Sequence, residues 1–277
     1  MYLFVDQLTN VDFSYLDPKR GLVGETWLAD FGLQGALDQN SMVCDFGVVK
    51  KTFRQWLDLT LDHKLLVPSQ SPCLSYQLND TYIELSWKSQ RGEMTLSVPE
   101  SAITLIDAAE ITPQSVAHWC ADQAKKLMPN SVSQLDIEFN PEVISGYSYH
   151  YSHGLKKHDG NCQRIAHGHR STINISKNGI RDFDLERQWC QRWSDIYVGT
   201  KEDIISENDS QIQFSYQAEQ GKFTLQLPKH WCYIVDTDTT VEQIAKHIAC
   251  TLKQQNQQDE IKVKAFEGIG KGAIYIC

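Results

Sequence analysis

The sequence predicts an α+β protein built from two copies of one plan, each an antiparallel sheet with two helices packed on one face. Three observations predict it. Two β-hairpin patterns recur at a fixed offset. Two amphipathic helices follow them at nearly the same offset. Each of these helices leads into a short strand.

Each half opens with an extended pair of strands. A first helix follows, over Val48–Leu61, with Phe53, Trp56 and Leu57 on one face; Leu185, Trp189 and Trp193 likewise share one face in the second half. The hairpin comes next. Residues 82–98 alternate apolar side chains at 83, 85, 87, 94, 96 and 98 around the turn Gln90-Arg91-Gly92-Glu93. Residues 212–227 repeat it, with Ile212, Phe214, Tyr216, the turn Glu219-Gln220-Gly221-Lys222, then Phe223, Leu225 and Leu227, at an offset of 129. Thr112 and Thr240 are N-cap candidates for the second helices, at an offset of 128. The closing strands are Gln134–Phe139 and Ile261–Phe266. Pro141 ends the last strand of copy one, so the predicted units are 1–140 and 141–277.

Composition narrows the function. Of 277 residues, 41% are hydrophobic and 22% charged, which suits a globular protein of one large domain or two ordinary ones. No apolar run approaches the roughly 20 residues that span a bilayer. The start, Met1-Tyr2-Leu3-Phe4-Val5-Asp6, has no basic region and no apolar core, so no signal peptide is expected. The net charge of −9 argues against nucleic acid as a partner. Eight cysteines without a Cys-x-x-Cys pair read as reduced thiols of a cytoplasmic protein, and all but Cys162 as core.

Five of the nine histidines (150, 153, 158, 167 and 169) fall within twenty residues. Ala166–Ile175 reads as a strand, so His167 and His169 point to the same face, about 7 Å apart along it. His153 lies fourteen residues upstream, a separation that suits an antiparallel partner strand. Three histidines with a fourth position open is the pattern of catalytic zinc. His150 and His158 are bystanders or substitutes for His153. By spacing alone, Cys162 is either a fourth ligand or a nucleophile or base.

The segment Tyr149-His150-Tyr151-Ser152-His153-Gly154-Leu155, then Gly160-Asn161-Cys162 and His167-Gly168-His169, resembles the zinc segment of the 6-pyruvoyl- and 6-carboxytetrahydropterin synthase family. The resemblance implies tunnelling-fold (T-fold) units, zinc on His153, His167 and His169, and Cys162 as catalytic base. It extends to Met42-Val43-Cys44-Asp45-Phe46 and to Leu61-Asp62-His63, whose Asp-His pair assists the cysteine in that family, from a neighbouring subunit. Thr239-Thr240-Val241-Glu242-Gln243 is similar to the family's substrate-side helix start. Thr240 and Glu242 are thereby implied in substrate binding, although cap and acid also suit that position by themselves. Glu267 matches the glutamate that anchors the pterin ring.

The counterparts are lost. Gly21-Leu22-Val23-Gly24-Glu25-Thr26 stands where the first copy's His-Gly-His belongs, Phe139 where Glu267 stands, and Trp193-Ser194-Asp195-Ile196 where the second Asp-His belongs. The resemblance therefore implies a fused pair with one complete site. Its implied activity is a zinc-dependent lyase that eliminates triphosphate from 7,8-dihydroneopterin triphosphate, in a homo-oligomer. Lys156, Lys157, Arg164 and Arg170 are candidates to hold the triphosphate. Four residues separate Cys162 from His167, which leaves the pyruvoyl and carboxy products both open. Two other readings stand beside it: a non-catalytic zinc-holding pterin-binding module, and a bimodular nitrile reductase, which would need NADPH and no zinc.

Overall fold

A computed structural model describes residues 1–277. In the first half, β1 (Tyr2–Asp17) and β2 (Gly21–Gly35) form a long antiparallel hairpin. Helix α1 (Phe46–Thr60) starts where the Asp45 side chain accepts the Val48 N–H, and it buries Val49, Phe53 and Leu57. There follow β3 (Leu65–Pro68), β4 (Leu74–Asn79), β5 (Tyr82–Ser89), β6 (Gly92–Pro99) and β7 (Ile103–Ile106). Helix α2 (Pro113–Ala124) opens with a reciprocal Thr112–Ser115 cap and a proline in its first turn. Strand β8 (Val132–Pro141) closes the half.

The second half repeats this order with β9 (Ser148–His153), β10 (His167–Lys177), β11 (Ile180–Arg181), α3 (Phe183–Arg192), β12 (Ile196–Thr200), β13 (Ile204–Glu207), β14 (Gln211–Ala218), β15 (Gly221–Pro228), β16 (Cys232–Val235), α4 (Val241–Gln255) and β17 (Ile261–Phe266). The short β11, paired with β10, has no counterpart in the first half, and neither has a final strand, β18 (Gly272–Ile276), which pairs with β17.

Helices α1 and α2 cover the five-stranded sheet β7-β3-β1-β2-β8, and α3 and α4 cover the seven-stranded sheet containing β9, β10 and β17. Each is the predicted sheet with two helices on one face. Two features go beyond the prediction. Short strands β3 and β7, and likewise β12 and β16, join in parallel, so both sheets are mixed. The two hairpins also leave their own halves and combine, through antiparallel pairing of β6 with β15, into a third sheet in the order β13-β14-β15-β6-β5-β4. Alternation marked the inward face of each hairpin, but each hairpin alone presents a bare edge strand, and pairing the two edges satisfies both. Their inward side chains, Trp87, Leu96, Phe214 and Leu225 among them, form one core with Ile165, Ala166 and Leu16.

The halves face each other across an approximate two-fold axis. Leu96 pairs with Leu225, its own counterpart in the repeat. Ser14 Oγ lies 2.7 Å from Ser152 Oγ, in matching positions of β1 and β9. Gly24 and Gly168 meet back to back: a Cβ on Gly168 would stand 2.8 Å from the Gly24 Cα and 2.3 Å from the Tyr151 carbonyl oxygen. Tyr15 opposite Val23 in the first half thus corresponds to His153 opposite His167 in the second.

All eight cysteines are free thiols. Cys120 and Cys190 are buried; Cys44, Cys73, Cys232 and Cys277 sit at the core margins and Cys250 is half-buried, which corrects their reading as core. Half-apolar periodicity does not separate a margin from a centre. Trp189 and Trp193 are buried as predicted. No helix is long and apolar enough to cross a membrane.

Candidate active site and metal centre

The β9–β10 register sets His153 directly opposite His167, while the two-residue period of β10 puts His169 on the same face. All three are fully buried, and one nitrogen from each lies within 4.8 Å of the others. Each Nδ1 is turned to an oxygen: His153 to the carbonyl and hydroxyl of Thr239 (3.1 and 3.0 Å), His167 to the Arg164 carbonyl (2.7 Å), and His169 to within 3.2 Å of Asp12 Oδ1. The three Nε2 atoms have no hydrogen-bond partner. Buried nitrogens are not left bare without cause. Three convergent imidazoles, each backed by an oxygen, form a donor set that fits zinc. Burial pushes His153 and His167 well below the usual imidazole range, so both offer a neutral ring.

The first half supplies the rest of the site. Asp62 and His63 lie just after α1, and His63 has φ +53, held there by its N–H bond to the Asp12 carbonyl. His63 Nδ1 is 2.5 Å from Asp62 Oδ2, and Asp62 Oδ1 accepts the Asp12 N–H. The His63 ring is 5.0 Å from the His167 ring, centre to centre. His63, Cys162 and His167 bring one donor atom each within 4.8 Å of one another. Burial works against a charge on His63, but hydrogen bonds to Asp62 and Cys162 prevail and raise it to about 10. The pair therefore meets Cys162 within one chain.

The loop 154–166 carrying Cys162 is clamped by the turn of the β14–β15 hairpin. The Gln220 N–H donates to Gln163 Oε1, the Gln220 side chain reaches Gly160 and Asn161, and the Tyr216 hydroxyl donates to the Gln163 carbonyl. Glu267, just past β17, puts Oε1 3.9 Å from His169 Nε2, beside the triad.

Other predicted residues lie elsewhere. Thr240 caps α4 by accepting the Gln243 N–H, and Glu242 stands in the first turn; the contact with the triad comes from Thr239 instead. His150 reaches across to the Gly24 carbonyl at 2.8 Å, and His158 is exposed on the loop. Lys156 is paired with Asp203 and Glu202, and Lys157 with Asp238 and Glu202. Arg170 donates to the Glu142 carbonyl. Nearness in sequence to the histidines did not bring these three to them, because alternate strand residues and loop turns point away.

Asp12 is the residue beside the histidines that the sequence does not reveal. It is buried, receives the Thr26 hydroxyl at 2.6 Å, and has Lys271 at 3.4 Å. Burial alone would raise its carboxyl, yet His169 and Lys271 hold it well below the usual range. A lone aspartate in a strand carries no signal of a contact 157 positions away. The axis gives one afterwards: Asp12 corresponds to His150, and each reaches the opposite half.

Paired T-fold units around a three-histidine centre define a protein of the pterin-synthase class. The family description 6-pyruvoyl tetrahydropterin synthase matches residues 11–147 and again 142–275, and the chain belongs to that family. It is 25% identical over 138 residues to "Putative 6-carboxy-5,6,7,8-tetrahydropterin synthase" of Methanocaldococcus jannaschii, covering 48% of this chain and 82% of that protein. A protein of the same name from Pyrococcus abyssi is 21% identical over 127 residues, 46% of this chain and 73% of its own. Among solved structures, Plasmodium vivax 6-pyruvoyltetrahydropterin synthase superposes with a TM-score of 0.39 at 17% identity, covering 51% of this chain and 98% of that one.

Proposed function

We propose that the chain is a zinc-dependent carbon–oxygen lyase that eliminates triphosphate from 7,8-dihydroneopterin triphosphate to give a 6-substituted tetrahydropterin. The observation that carries this reading is the placement of Cys162, His63 and Asp62 against three buried imidazoles with unpartnered Nε2 atoms, in a chain of this family. His153, His167 and His169 would hold zinc, which when bound would supply Lewis-acid polarisation of substrate oxygens. Glu267 accepts hydrogen bonds from the amino and ring N–H groups of the pterin and orients its side chain toward the histidines. Cys162 takes a proton from that side chain. His63 stays protonated through neutral pH and serves as the acid of the pair, with Asp62 fixing its Nδ1–H. Burial of the triad excludes bulk water from the reacting face.

In this reading unit 141–277 carries zinc, thiol and pterin anchor, unit 1–140 supplies the proton relay, and copies assemble as a homo-oligomer in the cytoplasm. The names of the curated relatives support the carboxy product, which keeps one side-chain carbon and so also requires a water to be consumed and the outer two carbons to leave as acetaldehyde. Incubation of the zinc-loaded protein with 7,8-dihydroneopterin triphosphate tests it. Triphosphate release, with a 6-carboxy- or 6-pyruvoyl-tetrahydropterin identified by mass spectrometry, is the expected result. Bound zinc and pterin without triphosphate release would overturn catalysis.

A further inference from the structure

Arg164 is a buried guanidinium, 6% exposed, with no carboxylate within ion-pair distance. Its Nε donates to Gln220 Oε1 at 3.1 Å, and its Nη1 lies 3.4 and 3.5 Å from the carbonyl oxygens of His63 and Asp62. The next residue in that chain segment is Lys64, half-buried, likewise without an ion pair, and near enough to Arg164 for the two charges to repel. The nearby acid, Asp62, is committed to His63 and to the Asp12 N–H. Burying unpaired cations side by side is costly.

The opposite pole of the molecule is an internal control. Arg20 stands three residues before Val23, as Arg164 stands three before His167, and the strand registers make Val23 and His167 equivalent. Asp195 follows α3 in the left-handed conformation (φ +52) that His63 adopts after α1. There Arg20 is fully paired, with Nε 2.9 Å and Nη2 2.5 Å from the Asp195 carboxylate. One arginine position therefore has its carboxylate built in, while its twin beside the histidines lacks one.

We propose that Arg164 and Lys64, one from each half, form a subsite for the phosphate chain of the substrate. The proposal rests on the lyase reading for the identity of that substrate. A planar guanidinium receives phosphate oxygens two at a time, and the adjacent ammonium adds a second positive charge. A chain of net charge −9 needs such a local site to accept a polyanion, and the other basic side chains near the centre are engaged, Lys271 by Asp12 and Lys156 by Asp203.

The test measures binding of inorganic tripolyphosphate to the zinc-loaded protein by calorimetry, with zinc content checked afterwards, alongside turnover kinetics. Arg164→Gln and Lys64→Gln are expected each to weaken tripolyphosphate about 10- to 100-fold, the range of a charge-assisted hydrogen bond, and to raise KM more than they lower kcat. Arg164→Lys recovers part of the loss, and the exposed Lys126→Gln, equal in charge change, has no effect. Should Arg164→Gln misfold, the half-buried Lys64→Gln carries the test. Unchanged tripolyphosphate affinity in Lys64→Gln and Arg164→Gln, with turnover intact, overturns the subsite and spares the lyase. Binding that depends on both residues, without triphosphate release from the pterin, overturns the lyase and keeps the subsite.

Discussion

In the proposed mechanism Cys162, His63 and the three convergent histidines divide the chemistry by atom, so single substitutions separate their roles. Cys162→Ala is expected to abolish turnover while retaining one zinc per site, measured by metal analysis. Loss of zinc would make the thiol a ligand and end its role as base. His169→Ala removes one of three donors, and the zinc content of the purified protein should fall accordingly. Asp12 backs His169 from the Nδ1 side, 3.2 Å away, opposite the nitrogen proposed to face the metal. Asp12→Asn keeps the size and loses the charge, and a chelator competition should show zinc affinity reduced about 10- to 100-fold, the usual effect of an outer-shell partner. The three histidines were legible in the sequence because a strand's two-residue period makes His-x-His a shared face. Asp12 and Thr239 were not legible, because each acts on a histidine from a distant segment.

At the scale of the element, the degenerate hairpin β1–β2 has replaced ligands with a buried acid. Glu25 occupies the position of His169 and is 7% exposed. Burial raises its carboxyl to about 7, against the Thr26 N–H and the charges of Arg170 and Arg20. The folded state then binds more protons than the unfolded one between about pH 4.5 and 7. Stability from this group is present at low pH and is lost as the pH rises through 7. Glu25→Gln should therefore gain stability at pH 8 relative to pH 5, by about 1–3 kcal/mol, read as a narrower gap between urea midpoints at the two pH values. An unchanged gap would mean that Glu25 is ionised at its site. The hairpins β5–β6 and β14–β15 act together: their shared sheet clamps the Cys162 loop through Gln220 and Tyr216. Alternation located both hairpins, but a repeat pattern does not say whether two copies pair within themselves or with each other.

The whole molecule has three cores, and the one beneath the shared sheet draws on both halves, from Leu16 and Leu65 to Ile165 and Trp231. The halves should therefore unfold together. Leu225→Ala, at the fully buried axis position, is expected to cost about 2–5 kcal/mol and to shift a single calorimetric transition; two separated transitions would show independent units. In the proposed reading zinc binds the folded triad only, so chelation should lower the melting temperature of the intact chain, by an amount that grows with the free zinc previously supplied.

The sequence by itself determined the α+β class, the repeat and the strand that carries His167 and His169, since these follow from local periodicity and short-range spacing, while the resemblance to the synthase family said which half keeps which motif. Only the tertiary structure decided that Asp62–His63 reaches Cys162 within the same chain, that Asp12 backs His169, and that Arg164 lacks the carboxylate its twin Arg20 has. The physical reason is one and the same. These contacts are made across the axis between halves, where two backbones approach at Gly24 and Gly168, and pairing over about a hundred residues or more leaves no period in the chain to read.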